Sequence, residues 1–132
     1  MKIKNMVLFD SNFIESLMKF TEMQLPIKIS YSLKKCLNIF KTEENELKLH
    51  RDDLIKKYGT CITNDAGELI YDLNKSDKKS QESFFQEYNE LMDLEVELPI
   101  EDKLSISLKD IENKFISAKH IVAIEPLIKI EE

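Results

Sequence analysis

The sequence predicts an α+β fold in which a long helical hairpin packs with a small antiparallel β-sheet. Three observations predict it. Apolar residues recur at three- and four-residue steps through most of the first 58 positions. Leu94-Glu95-Val96-Glu97-Leu98 alternates strictly, and Asn64-Asp65-Ala66-Gly67 stands between two short apolar runs. A hydrophobic share of 42%, with only 2 glycines and 3 prolines in 132 residues, argues for one domain over residues 1–132 without long linkers. Residues 1–59 would form the helical hairpin, and residues 60–132 a β-hairpin, a helix and the small sheet.

Ile3 to Phe9 reads either as a short strand or as an extra turn of helix. From about Ser11 to Met23, Phe13, Ile14, Leu17, Met18 and Phe20 fall along one helical stripe. An N-cap lies among Asp10, Ser11 and Asn12, whose side-chain oxygens can accept from the free N–H groups of a first turn. Leu25-Pro26 ends this helix, because proline disfavours the helical conformation in the residue before it. The same proline can open the next helix, where its missing N–H costs nothing.

From Ile27, the residues Ile29, Leu33, Cys36, Leu37 and Phe40 keep helical spacing, and Leu47, Leu54, Ile55 and Tyr58 resume it. Gly59, after Lys56-Lys57-Tyr58, is a C-terminal stop with positive charge at the helix's negative end. Lys41 to Glu46 contains no apolar residue, so either the helix leaves the core there or a second one begins at Thr42. With no glycine or proline to interrupt it, one helix of about 32 residues and roughly 48 Å is favoured.

Cys61-Ile62-Thr63, the Asn64–Gly67 turn and Glu68-Leu69-Ile70-Tyr71 read as a β-hairpin. A polar loop over 74–80 leads to a helix whose inner face would be Phe84, Phe85, Tyr88, Leu91 and Met92. The alternating segment Leu94 to Leu98 follows as a half-buried strand, placed at an edge or ended by Pro99. Leu104, Ile106 and Leu108, alternating with Ser105 and Ser107, would be its antiparallel partner across Glu101-Asp102-Lys103. Ser117 can cap a short helix over 118–124 that Pro126 ends or bends, and Leu127 to Ile130 would pair or pack.

Several function classes find no support. Cys36 and Cys61 form neither a zinc pattern nor a Cys-x-x-Cys, and each is expected to be a buried small hydrophobe. The N-terminal apolar run is too short for a signal peptide and no stretch is long enough to span a membrane, so a cytoplasmic location is expected and Asn74-Lys75-Ser76 reads as a chance glycosylation match. Glu46, His50 and Asp53 share one side of the long helix and are metal-capable types. A solvated face explains them, since His-Glu-x-x-His and a fourth ligand are missing. His120 has no nucleophile at a recognisable spacing. There is no Gly-rich phosphate loop, and turn chemistry explains the superficially calcium-like Asn64 to Glu68. The expectation is no catalytic centre, no metal and no cofactor.

Charge is unevenly spread. Residues 1–59 hold 11 Lys/Arg against 8 Asp/Glu, a net of +3, whereas residues 60–132 hold 8 against 17, a net of −9. Lys34, Lys41 and Lys48, with Lys35 beside them, form a basic stripe that Glu43, Glu44 and Glu46 interrupt. At a pI near 5.1, direct nucleic-acid binding is not expected. Between Gln81 and Asp102 there is no base at all. The partner-binding candidates are therefore Glu87, Glu90, Asp93, Glu95, Glu97, Glu101 and Asp102. Charge placed on an exposed edge to deter aggregation would explain them equally. A surface that engages a basic groove, of the kind that normally holds nucleic acid, is the sharper alternative.

Met1-Lys2-Ile3-Lys4-Asn5, Leu25-Pro26-Ile27-Lys28, Lys57-Tyr58-Gly59, Val96-Glu97-Leu98 and the closing Ser117 to Leu127, with Glu125-Pro126-Leu127, carry a resemblance. Over most of its length the chain resembles a family of short uncharacterised proteins encoded by phages and prophages of Gram-positive bacteria. It departs from them in a more aromatic first helix. The resemblance implies a viral origin, a location in the host bacterial cytoplasm and no catalytic residues to carry over. The expected function is a non-enzymatic factor that binds a host or phage protein complex, such as an inhibitor of a CRISPR effector. The alternative is a virion assembly or tail-associated component. The near-heptad spacing of the long helix permits a homodimer.

Overall fold

In the computed structural model, which describes residues 1–114 and 116–132, the opening run forms both of its alternatives in succession. Strand β1 is Lys2–Lys4 and helix α1 is the single turn Asn5–Leu8. Helix α2 spans Ser11–Glu22, and its cap is Asp10, whose Oδ1 accepts from the Asn12 N–H at 2.9 Å. Phe13, Leu17 and Phe20 of the expected stripe are buried, but Met18 at its margin is exposed.

Helix α3 runs unbroken over Ile27–Tyr58. The Pro26 carbonyl accepts from Ile29 and Ser30 N–H at 2.9 and 3.0 Å, so proline sits where the first turn needs an acceptor and no donor. Thr42 does not start a second helix. Its Oγ1 donates to the Asn38 carbonyl one turn back, at 2.9 Å, which leaves the hydroxyl unavailable as a cap. At the far end the Gly59 N–H donates to the Ile55 carbonyl at 2.6 Å. A Cβ on Gly59 would lie 2.5 Å from that same oxygen, so the stop requires glycine for close approach.

Strands β2 (Thr60–Thr63) and β3 (Leu69–Asp72) form the expected antiparallel hairpin. Helix α4 spans Lys78–Asp93, capped by Asp77, whose Oδ1 accepts from Ser80 N–H at 2.7 Å and whose carboxyl is held below its usual range by that bond. On α4, Phe84 is buried and stacks on Tyr88 with ring centroids 5.7 Å apart. Phe85 was expected inside and instead faces solvent, because the apolar stripe is narrower than its sequence suggests. Cys36 is buried, which pushes its thiol up, whereas Cys61 is exposed on β2, contrary to expectation.

The pairing of the remaining strands corrects the sequence reading. Strand β4 (Glu95–Glu97) pairs antiparallel with β1, not with the segment that follows it. Strand β5 (Leu104–Ser107) pairs in parallel with β6 (Ile128–Glu131), Leu104 opposite Ile128 and Ile106 opposite Ile130. A parallel pair needs a crossover. Helices α5 (Leu108–Ile111) and α6 (Ala118–Ile124) lie in that connection, and Leu108 is helical where continued alternation was expected. Among the described residues the sheet component is thus three two-stranded sheets, two antiparallel and one parallel.

The fold is α+β, in two compact units. The first combines Met1–Glu44 with Glu95–Glu132, and the second is Asn45–Leu94. The division expected after residue 59 therefore falls inside the second unit, and α3 contributes to both. Nearly all of the deeply buried apolar side chains belong to the first unit. Phe13, Leu17 and Phe20 of α2 and Leu33 and Phe40 of α3 are essentially inaccessible, as are Ile106, Ile124 and Leu127. Phe13 and Phe40 meet edge to face at 4.9 Å, so the helical hairpin is held by aromatic as well as aliphatic contact.

Candidate functional site

The seven carboxylates singled out by charge are divided between the units. Glu87, Glu90 and Asp93 belong to α4 in the second, and Glu95, Glu97, Glu101 and Asp102 to the first. On β4, Glu95 and Glu97 are exposed, but the register sets Lys4 opposite Glu95 and Lys2 opposite Glu97. Opposite charges facing across a strand pair are mutually favourable. The Met1 amine also lies 3.4 Å from Glu97 Oε1. That strand pair is consequently balanced in charge. Glu101 and Asp102 follow the buried Ile100 and are exposed.

Glu87 is ion-paired: Lys57 Nζ donates to its Oε1 and Oε2 at 3.1 and 3.3 Å. The Lys57 hydrogen bond, then that of Tyr58, holds the Glu87 carboxyl below its usual range, and the Glu87 bond raises Lys57 above its own. The pair therefore favours the folded state above the ordinary glutamate range, and this is lost as pH falls through Glu87's depressed titration. On the alkaline side it is lost as pH rises through Lys57's elevated one. In an NMR titration of side-chain carboxyls, Lys57→Gln is expected to move the Glu87 midpoint upward. An unchanged midpoint would contradict the pairing.

Around this pair, α3 and α4 leave an open groove of about 480 Å³ lined by His50, Asp53, Leu54, Glu90, Leu91 and Leu94 as well as Lys57 and Glu87. His50 and Asp53, one helical turn apart, reach it, and Glu46 does not line it. Among the described residues no three His, Cys, Asp or Glu side chains converge closely enough to hold a metal ion.

His120 occupies a setting that sequence reasoning missed. It is 8% exposed on α6; its Nδ1 lies 2.8 Å from Ser117 Oγ, and its Nε2 lies 3.4 Å from Glu15 Oε1 on α2. Serine, imidazole and carboxylate in line resemble the parts of a hydrolytic triad. Here, however, Ser117 is the N-cap of α6 and its Oγ also accepts the His120 N–H at 3.4 Å. The Glu15 contact lacks hydrogen-bond geometry, and among the described residues Nε2 has no hydrogen-bond partner. The arrangement caps a short helix and packs it on α2. The sequence offered Ser117 only as a helix cap, and Glu15, on a distant element, gave no signal.

The more unusual surface is apolar. Within the second unit only Leu47 and Phe84 are buried among the apolar side chains. Leu69 is 74% exposed, Leu49 65%, Tyr71 43% and Ile70 38%. These four line a second groove of about 600 Å³, together with Ile55, Asp52, Asp53 and Lys56. Their shared groove, with Leu69 and Tyr71 on one face of β3, makes this a common apolar surface, which scattered single apolar groups are not.

No protein-family model, no curated protein and no solved structure matches the chain. Among the described residues no helix is long and apolar enough to cross a membrane.

Proposed function

We propose that this chain is a non-catalytic protein-binding factor whose second unit supplies the binding surface. The observation that carries the reading is the exposure of Leu49, Leu69, Ile70 and Tyr71 around one groove, in a unit that buries few apolar side chains of its own. A contiguous apolar surface left open to water is stabilised when a partner covers it. Charge indicates what sort of partner. Residues 45–94 hold 7 Lys/Arg against 11 Asp/Glu, a net of −4, which favours encounter with a basic surface. Glu90 and Asp93 on α4, among the acids singled out by charge, are part of that surplus.

The resemblance to phage-encoded proteins supplies the setting. The partner is a bacterial protein complex with a basic groove, and a CRISPR effector has the required chemistry. The test is affinity capture by the tagged chain from host lysate. The expected result is one stoichiometric partner, released by raising the salt and weakened when Leu69 and Tyr71 of the second unit are both changed to serine. Absence of any stoichiometric partner would overturn the reading. Recovery of the chain in purified phage particles would replace it with the virion-assembly role.

A further inference from the structure

The hairpin of the second unit has an open edge whose chemistry specifies what can pair with it. The Gly67 N–H donates to the Asn64 carbonyl at 3.0 Å, and the Asn64 N–H donates to the Glu68 carbonyl at 2.9 Å. With Gly67 at φ 79°, this is a tight turn followed by a one-residue bulge, and it fixes the parity of the ladder. Main-chain bonds alternate along an antiparallel pair. Glu68, Ile70 and Asp72 therefore direct their N–H and C=O groups at β2, and Leu69 and Tyr71 direct theirs away from it. Among the described residues this sheet has only two strands, so β3 is an edge. It is also one wall of the apolar groove completed by Leu49 and Ile55.

We infer that β3 is a docking edge for an extended segment of the partner protein. The segment adds as an antiparallel strand and carries apolar residues between two basic residues four positions apart. The inference rests on the protein-binding reading and adds the mode of binding. With the incoming strand centred opposite Ile70, its outer positions face Glu68 and Asp72, on the same side of the sheet as Ile70. Asp52 and Asp53 line the same groove, with Lys56 as its basic member. A second copy of this chain fits poorly. The self-pairing that lets Leu69 and Tyr71 bond across the edge is also centred on Ile70, and it sets Glu68 against Asp72 at both ends. Like charges directly opposite one another are destabilising.

The test is an NMR titration of the full chain with two acetylated, amidated peptides, Lys-Val-Ile-Val-Lys and Glu-Val-Ile-Val-Glu. The lysine peptide is expected to shift the Leu69 and Tyr71 amides more than that of Ile70, with Kd about 1 mM for so short and unstructured a ligand. The glutamate peptide should bind at least about tenfold more weakly. Leu69→Pro removes an outward N–H without removing a bond to β2, and should abolish the shifts. Glu68→Lys, at an exposed position that needs no refolding, leaves each peptide one attractive and one repulsive end and should largely remove the preference between them. Equal binding of both peptides, shifts located away from β3, or an unaltered preference in Glu68→Lys would each overturn the proposal. Stoichiometric capture of a partner alongside such a failure would remove the strand mode and leave protein binding standing. Peptide binding without any captured partner would leave the edge chemistry and remove the functional reading.

Discussion

Phe40→Ala is expected to cost about 3–5 kcal/mol of folding stability, a large part of the ~5–15 kcal/mol that holds a domain folded. Phe40 is fully inaccessible, and Phe13, Leu17, Phe20 and Leu33 of the same unit are essentially so. Truncation removes the transfer term, leaves a cavity and breaks the edge-to-face contact with Phe13 at 4.9 Å. An aromatic pair of that kind is worth about 0.5–1.5 kcal/mol beyond its buried area. The measurement is urea unfolding, where the midpoint should fall at nearly constant slope. Phe85→Ala, at a residue 53% exposed, should stay within about 0.5 kcal/mol of the parent. Equal effects at the two positions would contradict this account of the core.

The second large effect is on binding. Leu69→Ser combined with Tyr71→Ser is expected to weaken partner binding by at least about 30-fold while leaving the thermal midpoint close to that of the parent. The two side chains share one face of β3, since residues two apart on a strand point the same way. Both are more than two-fifths exposed in the free chain, so little stability depends on them. Large exposed apolar and aromatic groups beside open main-chain groups are the kind of anchor that dominates an interface. Surface calorimetry against the captured partner checks the affinity, and differential scanning calorimetry checks the fold. Unchanged affinity with an intact fold would place the binding surface elsewhere.

How much of this was legible depended on whether the deciding interaction was local. Pro26 and Gly59 mark the ends of α3 through their own backbone chemistry, and the helix begins and ends beside them. The Asn64–Gly67 turn and the Ser117 cap were readable for the same reason: each is settled within five residues. The partner of β5 was not. Leu104 to Ser107 alternates in the way either an antiparallel or a parallel neighbour requires, and only the crossover through α5 and α6 decides. Phe85 was misplaced because periodicity marks a stripe but not how far a neighbour covers it, and Cys61 because the general tendency of free cysteine to be buried does not fix any one position.

The candidate surface was legible in charge and not in balance. Glu95 and Glu97 stand out in the sequence as uncompensated acids, yet a long-range register brings Lys4 and Lys2 opposite them. Leu69-Ile70-Tyr71 carried the stronger signal in an ambiguous form. An unbroken apolar run fits a strand buried on both faces as well as one left open, and the exposure of all three residues selects the open one.

Hydrogen–deuterium exchange on the chain alone and in its captured complex probes the binding surface most directly. Binding through the second unit predicts that Leu69 and Tyr71 amides, directed away from β2, slow markedly in the complex, while amides of the first-unit helices stay as they are. Slowing confined to β1 and β4, with β3 exchanging at its free rate, would contradict it.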